Sequence, residues 1–222
     1  MEIKPLIMFH GNSSVYGRPN SVESITEALK HNVDIIELDV RKSSDGVLFC
    51  HHWSKFVWTL KYLSFKFIKE KFEVNTLEEI LSVIPTKKII FLDIKDKRIT
   101  AEDLKKVCER FDQEYWIANC NLQYLGQLKS VLNNYKFVYN FGFLFFKKGI
   151  QKAKVQGINI IKVFHWQLTP NLKSHLLQSG LQFNIHPWFM NIKEYTEAVD
   201  KFGSVWVAYD DLEKLDKPYT KF

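Results

Sequence analysis

Four charged residues fall at alternate positions in two short apolar runs of the sequence. Glu37 and Asp39 lie in one run, and Asp93 and Lys95 end another. Side chains in a β-strand alternate between its two faces, so each pair shares a face. Three carboxylates converging from neighbouring strands would repel one another without a cation, and an all-oxygen set is what a hard ion such as Mg2+ or Ca2+ selects. The pattern therefore predicts one site for a divalent cation.

The same residues also fit a purely structural interpretation. Glu37 and Asp39 would then pair with Lys95 and Arg41 in a network at the rim of the sheet. Such pairing would be needed because an unpaired buried charge is strongly destabilising. The residue pattern by itself does not separate this network from a metal site.

Eight short, β-rich apolar segments must position these residues. They alternate with segments of helical period, three of which begin at an N-cap residue, Ser21, Thr76 or Thr100. Eight strand–helix units predict an α/β fold of the (β/α)8 TIM-barrel type, whose active sites lie at the C-terminal ends of the strands. An additional strand is expected over Val47–Cys50. The eight predicted strands are Ile3–Phe9, Ile35–Val40, Lys88–Ile94, Trp116–Asn119, Phe137–Asn140, Asn159–Val163, Gln182–Ile185 and Ser204–Ala208.

Composition and the N-terminal residues narrow the class of protein. The 222 residues contain no low-complexity linker, so a single domain over residues 1–222 is predicted. The first apolar run is too short for a signal peptide, and no later run approaches the roughly 20 residues that span a membrane. Three cysteines without a CxxC spacing indicate a reducing compartment, the cytoplasm. The lysines behind the net charge of +6 are scattered, so no nucleic-acid partner is expected.

Longer motifs follow one another in the order of a known family. They are PLIMFHGN, RPNSVESITEALKHNVDIIELDVRKSSDGVLFCHH, VNTLEEIL, FLDIK and WVAYDDLEKL. Together they resemble the glycerophosphodiester phosphodiesterases over nearly the whole chain. The resemblance implies a barrel of the phospholipase C-like phosphodiesterase type with one divalent cation, Mg2+ or Ca2+. It also implies hydrolysis of a glycerophosphodiester to sn-glycerol 3-phosphate and an alcohol, or hydrolysis of a related lysophospholipid.

The resemblance also implies roles for individual residues. His10 and His52 are similar to the two catalytic histidines, which exchange protons with the substrate as groups with a pKa near 7 do well. Lys95 is similar to the lysine that binds phosphate. The implied metal ligands are Glu37, Asp39 and Asp93.

Two adjacent histidines compete for the second catalytic position. Counted from the Asp45–Gly46 pair, His52 falls on the family's histidine and His51 falls on an apolar position. We therefore expect His52 to face the site and His51 to pack away from it.

The sequence departs from the family pattern around both histidines. Gly11 replaces the family's arginine, Trp53 replaces an aspartate, and Asp93 replaces the usual glutamate. Arg18 is expected to supply a guanidinium to the phosphate instead, and Trp188 is expected to line the substrate pocket. An arginine restored at Gly11 is expected to strengthen substrate binding if the loop leaves room for it.

Two other functions fit parts of the sequence. A phospholipase D-like barrel acting on lysophospholipid or sphingolipid also lacks the arginine and uses an Asp-x-Lys, as in residues 93–95. A catalytically inactive binding barrel is suggested by the replaced residues, although the histidines, carboxylates and lysine argue against it. The aromatic and lysine-rich stretch Trp53–Phe72 is either a cover on the side of the barrel or a membrane-surface element.

Overall fold

A computed structural model of the chain describes residues 6–52, 59–140, 146–186, 197 and 205–210. The strands of these residues are β1 (Leu6–Phe9), β2 (Ile35–Lys42), β3 (Leu48–Cys50), β4 (Ile89–Ile94), β5 (Glu114–Asn119), β6 (Lys136–Asn140), β7 (Ile160–Phe164), β8 (Gln182–His186) and β9 (Trp206–Tyr209). The helices are α1 (Val22–Ala28), α2 (Phe65–Phe72), α3 (Leu77–Leu81), α4 (Ala101–Cys108), α5 (Leu122–Lys129), α6 (Phe146–Val155) and α7 (Pro170–Ser179). Short 3-10 turns cover Leu60–Tyr62 and His165–Gln167. Within these ranges, none of the helices has the length and apolar character required to cross a membrane.

The order of elements confirms the predicted α/β class of the (β/α)8 type. Each of the eight predicted strands is present, with ends that differ by a few residues at most where they are described, and the additional strand is β3. Residues 3–5 and 204 of the first and last predicted strands lie outside the described residues. The helix starts also agree. Thr76 and Thr100 accept the N–H groups of Glu79 and Asp103, whose carboxylates bond back to the cap N–H groups in capping boxes.

The residues group into two compact units. The first comprises residues 8–115 and 209–222, and the second comprises residues 1–7 and 116–208. Each unit contains parallel strands together with helices that follow them in the chain. The single domain over residues 1–222 stays a prediction.

In the first unit, β2 is the central strand. It pairs in parallel with β1, where Phe9 lies beside Ile36, and with β4, where Leu38 lies beside Leu92. The end of β2 also pairs with β3 in the antiparallel direction. The side chains at these parallel pairs are fully buried: Phe9, Ile36, Leu38 and Leu92. Because β2 is buried along most of its length, any charged residue in it needs partners.

In the second unit, β5, β6, β7 and β8 pair in parallel in that order. Val205, just before β9, accepts the N–H of Leu6 and donates its own N–H to Phe183. The start of β9 therefore lies between β1 and β8. Trp116 and Trp206 form part of the core, edge to face with ring centroids 5.5 Å apart.

Candidate active site

Three carboxylates meet at the C-terminal ends of β2 and β4. In the parallel register Asp39 lies beside Asp93, and Glu37 lies two residues earlier on the same face of β2. The three residues are 3%, 0% and 6% exposed in the order Glu37, Asp39, Asp93. Each offers a carboxylate oxygen, and these oxygens lie within 4.8 Å of one another. The side chains therefore converge as the alternation of the sequence predicted.

Lys95, directly after β4, neutralises part of this negative charge. Its Nζ donates to Oδ2 of Asp93 at 2.7 Å and lies 3.0 Å from Oδ1 of Asp39. Burial acts to lower the pKa of Lys95, but the facing carboxylates raise it above its usual value. The ammonium is therefore charged. Its ion pair with Asp39 is one of the contacts that the purely structural interpretation of the sequence predicted.

The two acids of β2 differ in their affinity for protons. Burial, together with the charge of Asp39, raises the pKa of Glu37 to about 7. Burial also acts to raise the pKa of Asp39, but Lys95, His52 and Asn20 hold it well below its usual range. A cation bound between the two carboxylates would favour the ionised form of both, because opposite charge stabilises the charged state.

Asn20 fixes the orientation of Asp39. Its Nδ2 donates to Oδ2 of Asp39 at 2.9 Å, and its Oδ1 accepts the backbone N–H of Asp39 at 2.8 Å. The backbone N–H of Asn20 donates to the carbonyl of Gly11 at 2.7 Å. Asn20 is buried and has φ 55°, a left-handed conformation that asparagine adopts more readily than most residues. Asn20 lies within one of the family motifs, although the sequence alone predicts no role for it.

His10 follows β1 and is held by a residue near the other end of the chain. Its Nδ1 lies 2.8 Å from Oδ1 of Asp210, directly after β9. Ser13 donates from Oγ to the backbone carbonyl of Asp210 at 2.6 Å. A carboxylate at Nδ1 favours a proton on that nitrogen, which leaves Nε2 for proton exchange. Asp210 was not among the predicted site residues, although the closing motif WVAYD contained the signal for it.

The two adjacent histidines lie in different surroundings. Nδ1 of His52 is 2.9 Å from Oδ2 of Asp39, so this imidazole borders the carboxylate cluster. The ring of His51 packs against Phe72 with centroids 5.8 Å apart, and burial lowers its pKa. His52 therefore borders the carboxylate cluster while His51 packs on an aromatic ring, and the catalytic role of His52 stays a prediction.

Arg41 anchors the backbone of this histidine pair. Its Nε donates to the carbonyl of His51 and its Nη2 donates to the carbonyl of His52, each at 2.8 Å. The guanidinium therefore holds the segment that carries His52. It does not form the direct ion pair with Glu37 or Asp39 that the structural interpretation of the sequence required.

Known proteins similar to the chain share one family description. The family model of the glycerophosphoryl diester phosphodiesterases matches residues 10–214. The chain belongs to this family. A glycerophosphodiester phosphodiesterase of Arabidopsis thaliana is 46% identical over 48 residues, which make up 22% of this chain and 15% of that protein. That match therefore spans only a small part of the relative's length.

Solved structures of phosphodiesterases are similar to the chain over almost its full length. The glycerophosphodiester phosphodiesterase of Thermotoga maritima is 17% identical with a TM-score of 0.79, covering 97% of this chain and 98% of its own. A phosphodiesterase of Oleispira antarctica, in complex with the product sn-glycerol-3-phosphate, is 16% identical with a TM-score of 0.81, covering 95% of each chain. At this level of identity the likeness shows the fold, the α/β (β/α)8 type predicted from the sequence.

Gly11 occupies the position at which the family pattern described above has an arginine. Its N–H donates to Oε2 of Glu37 at 2.8 Å. An added Cβ would overlap the backbone carbonyl oxygen of Glu37 and would lie 3.1 Å from Oδ1 of Asn20. The condition set from the sequence, that the loop leave room for an arginine at this position, is therefore not met. Glycine is required because two backbone segments approach each other closely.

Replacing Gly11 with alanine is expected to lower the free energy of unfolding by about 1–3 kcal/mol, because the new Cβ must push β1 and β2 apart. Gly126→Ala is the matched control. Gly126 lies inside α5, and the atoms nearest to an added Cβ there belong to the end of the flexible Gln156 side chain, at 3.2 Å. Alanine also favours the helix. Urea denaturation compares the variants, and equal stability of both would contradict the close approach at Gly11.

Arg18 and Trp188 were also predicted from the sequence to bind the substrate. Nη1 of Arg18 donates to Oε2 of Glu73 at 2.5 Å, just beyond the end of α2, so its guanidinium takes part in an ion pair there. Trp188 lies outside the described residues. A role of Arg18 or Trp188 in binding the substrate stays a prediction.

Proposed function

We propose that the chain is a metal-dependent phosphodiester hydrolase that cleaves glycerophosphodiesters to sn-glycerol 3-phosphate and an alcohol. The observation that carries the proposal is the convergence of three buried carboxylates beside a lysine and a histidine. Membership of the phosphodiesterase family and the product bound to the Oleispira antarctica relative support the substrate class. Lysophospholipids contain the same phosphodiester group and are included in this class.

Glu37, Asp39 and Asp93 are proposed to hold one divalent cation, Mg2+ or Ca2+. Their donors are carboxylate oxygens, which hard cations prefer. Among the residues that the structure describes, the three carboxylates face one ammonium, that of Lys95. When bound, such a cation neutralises charge on the phosphate oxygens. Lys95 would add its own positive charge to the same anion as negative charge develops on it.

His10 and His52 are proposed to exchange protons with the reacting groups. One imidazole takes a proton from the attacking water molecule, and the other gives a proton to the alcohol oxygen that leaves as the P–O bond breaks, each contributing about 10²–10⁴-fold. Asp210 supports this role for His10, because its carboxylate stabilises the imidazolium that forms when Nε2 takes a proton. Arg41 supports His52 by holding its backbone carbonyl.

Removing the metal tests the first part of this proposal. EDTA is expected to abolish turnover of glycerophosphocholine, and Mg2+ or Ca2+ is expected to restore it, because the phosphate charge would otherwise face three carboxylates. The assay measures released choline and sn-glycerol 3-phosphate. Full activity in EDTA would contradict the metal site.

A substrate panel tests the second part. Glycerophosphocholine, glycerophosphoethanolamine, lysophosphatidylcholine and bis(p-nitrophenyl) phosphate are compared by the products each releases. We expect hydrolysis of the first two. Turnover of lysophosphatidylcholine with no turnover of either glycerophosphodiester would instead support the phospholipase D-like alternative.

A single catalytic domain over residues 1–222, acting in the cytoplasm on a small-molecule substrate, is also proposed. The family match over residues 10–214 supports the single domain. Three free thiols support a reducing compartment, since Cys50 and Cys108 are buried and Cys120 is exposed.

A further inference from the structure

Arg41 lies on the face of β2 that carries the carboxylate cluster. Because side chains alternate along a strand, Arg41 shares this face with Glu37 and Asp39. The backbone N–H of Lys95 donates to the carbonyl of Val40 at 2.9 Å, so β2 and β4 run side by side up to this point. Arg41 therefore follows Asp39 at the C-terminal end of β2, next to the end of β4 that carries Lys95.

The guanidinium of Arg41 is held along one edge of its planar fork. Nε donates to the carbonyl of His51 and Nη2 donates to the carbonyl of His52, each at 2.8 Å. A guanidinium has further N–H groups beyond the two that these bonds use. Those on Nη1, together with the second N–H of Nη2, form another edge of the fork, which we call the free edge of Arg41.

The free edge is open to a ligand. Within the described residues, Nη1 of Arg41 donates to no protein acceptor, and it is not among the buried atoms that lack a partner, so it reaches solvent. The fork of Arg98, after β4, differs because Nε and Nη2 contact Asp96 and Nη1 donates to the carbonyl of Lys61. A fixed edge with parallel N–H groups matches two oxygens of a phosphate.

The held edge keeps the guanidinium beside the carboxylate cluster. His52, whose carbonyl accepts from Nη2, also has Nδ1 only 2.9 Å from Oδ2 of Asp39. Burial lowers the pKa of Arg41, and the negative charges of Asp39 and two further aspartates oppose that shift. The positive charge of Arg41 therefore lies within the electrostatic field of the cluster.

The charge of Arg41 is available to an anionic substrate. Lys95 and one divalent cation would together carry as much positive charge as the three carboxylates carry negative charge. Asp96, the next acidic residue along the chain, is paired with Arg98 at 2.6 Å. The positive charge of Arg41 then matches the negative charge of a phosphodiester, which attracts it to the same site.

We infer that Arg41 binds the phosphate group of the substrate through its free edge, while its other edge holds the backbone of His52. The inference rests on the proposed function and adds a second charged donor to that of Lys95. A planar fork contacts two phosphate oxygens at once, whereas an ammonium acts as a point charge. The product sn-glycerol 3-phosphate keeps the phosphate group and should bind in the same way.

Isothermal titration calorimetry with sn-glycerol 3-phosphate, in Mg2+ or Ca2+, tests the inference without turnover. Arg41→Ala should weaken binding about tenfold or more, because hydrogen bonds from a charged donor to the phosphate are lost. Arg41→Lys keeps the charge without the fork and should recover only part of the affinity. Arg98→Ala is the matched control, since Arg98 also donates to backbone carbonyls in this region, and it should leave the affinity nearly unchanged.

A double-mutant cycle with His52→Ala separates direct binding from an effect through His52. Direct binding predicts that Arg41→Ala weakens sn-glycerol 3-phosphate binding by the same factor with and without the imidazole. Guanidinium ion added to Arg41→Ala should restore part of the affinity, and it should not raise the affinity of Arg98→Ala. Circular dichroism checks that each variant is folded, and Arg41→Lys takes the place of Arg41→Ala if the latter is not.

Unchanged affinity in the folded Arg41 variants, or a loss that disappears in the His52→Ala background, would overturn the inference. A loss in Arg18→Ala with none in the Arg41 variants would overturn it as well, as would wild-type protein that does not bind sn-glycerol 3-phosphate. The proposed function is decided separately by the substrate panel. Protein that binds sn-glycerol 3-phosphate through Arg41 but hydrolyses no glycerophosphodiester would contradict that function and leave the binding role of Arg41 standing.

Discussion

Replacing His52 with alanine should lower kcat/KM for glycerophosphocholine by about 10²–10⁴-fold, the usual contribution of a group that transfers a proton. Replacing His51 should leave kcat/KM within about tenfold of the wild-type value. The physical reason is the difference between their surroundings. Nδ1 of His52 lies 2.9 Å from the carboxylate of Asp39, whereas His51 packs against Phe72.

The two variants should rank in the opposite order when thermal stability is compared instead of kcat/KM. His51→Ala removes a ring from its packed contact with Phe72 and should lower the melting temperature, while His52, whose imidazole borders a polar cluster, should affect it less. Steady-state kinetics and thermal denaturation of both variants therefore form one experiment. A larger loss of kcat/KM in His51→Ala would mean that the segment after β3 is shifted by one residue in the catalytic state.

The carboxylate cluster could be predicted from the sequence because it depends on two local regularities. Alternation along a strand places Glu37 and Asp39 on one face of β2. Neighbouring parallel strands end at the same edge of a sheet, which brings Asp93 beside Asp39. Neither regularity requires knowledge of a distant loop, so the three carboxylates proposed to bind the cation could be reached from the residue pattern as well as from the family motif.

The residues that orient the site could not be predicted in this way. The contact between His10 and Asp210 joins residues 200 positions apart, and that between Asn20 and Asp39 joins residues 19 positions apart. Both depend on how loops return to the strand ends. The space available for a side chain at Gly11 depends on how closely the backbone of Glu37 approaches it. A local sequence pattern does not predict that distance.

Lys95→Ala should make the stability of the protein strongly dependent on the divalent cation. Nζ of Lys95 contacts Asp93 and Asp39 at 2.7 and 3.0 Å. Without the ammonium, and with the cation removed by EDTA, three carboxylates would share a buried site. Removing one partner of a buried ion pair typically costs about 3–5 kcal/mol of unfolding free energy. A bound divalent cation should restore most of that loss, because it binds only the folded site.

Urea denaturation of Lys95→Ala in EDTA and in Mg2+ or Ca2+ measures this effect, with Lys42→Ala as the matched control. Lys42 forms an ion pair with the more exposed carboxylate of Asp103 at 2.6 Å, away from the carboxylate cluster. Its removal should give a smaller loss that the cation does not alter. In turnover, Lys95→Ala should lower kcat/KM by at least about 10²-fold, because the phosphate loses a charged donor. A fully active Lys95→Ala protein, equally stable with and without the cation, would mean that the phosphate and the metal are held by other residues.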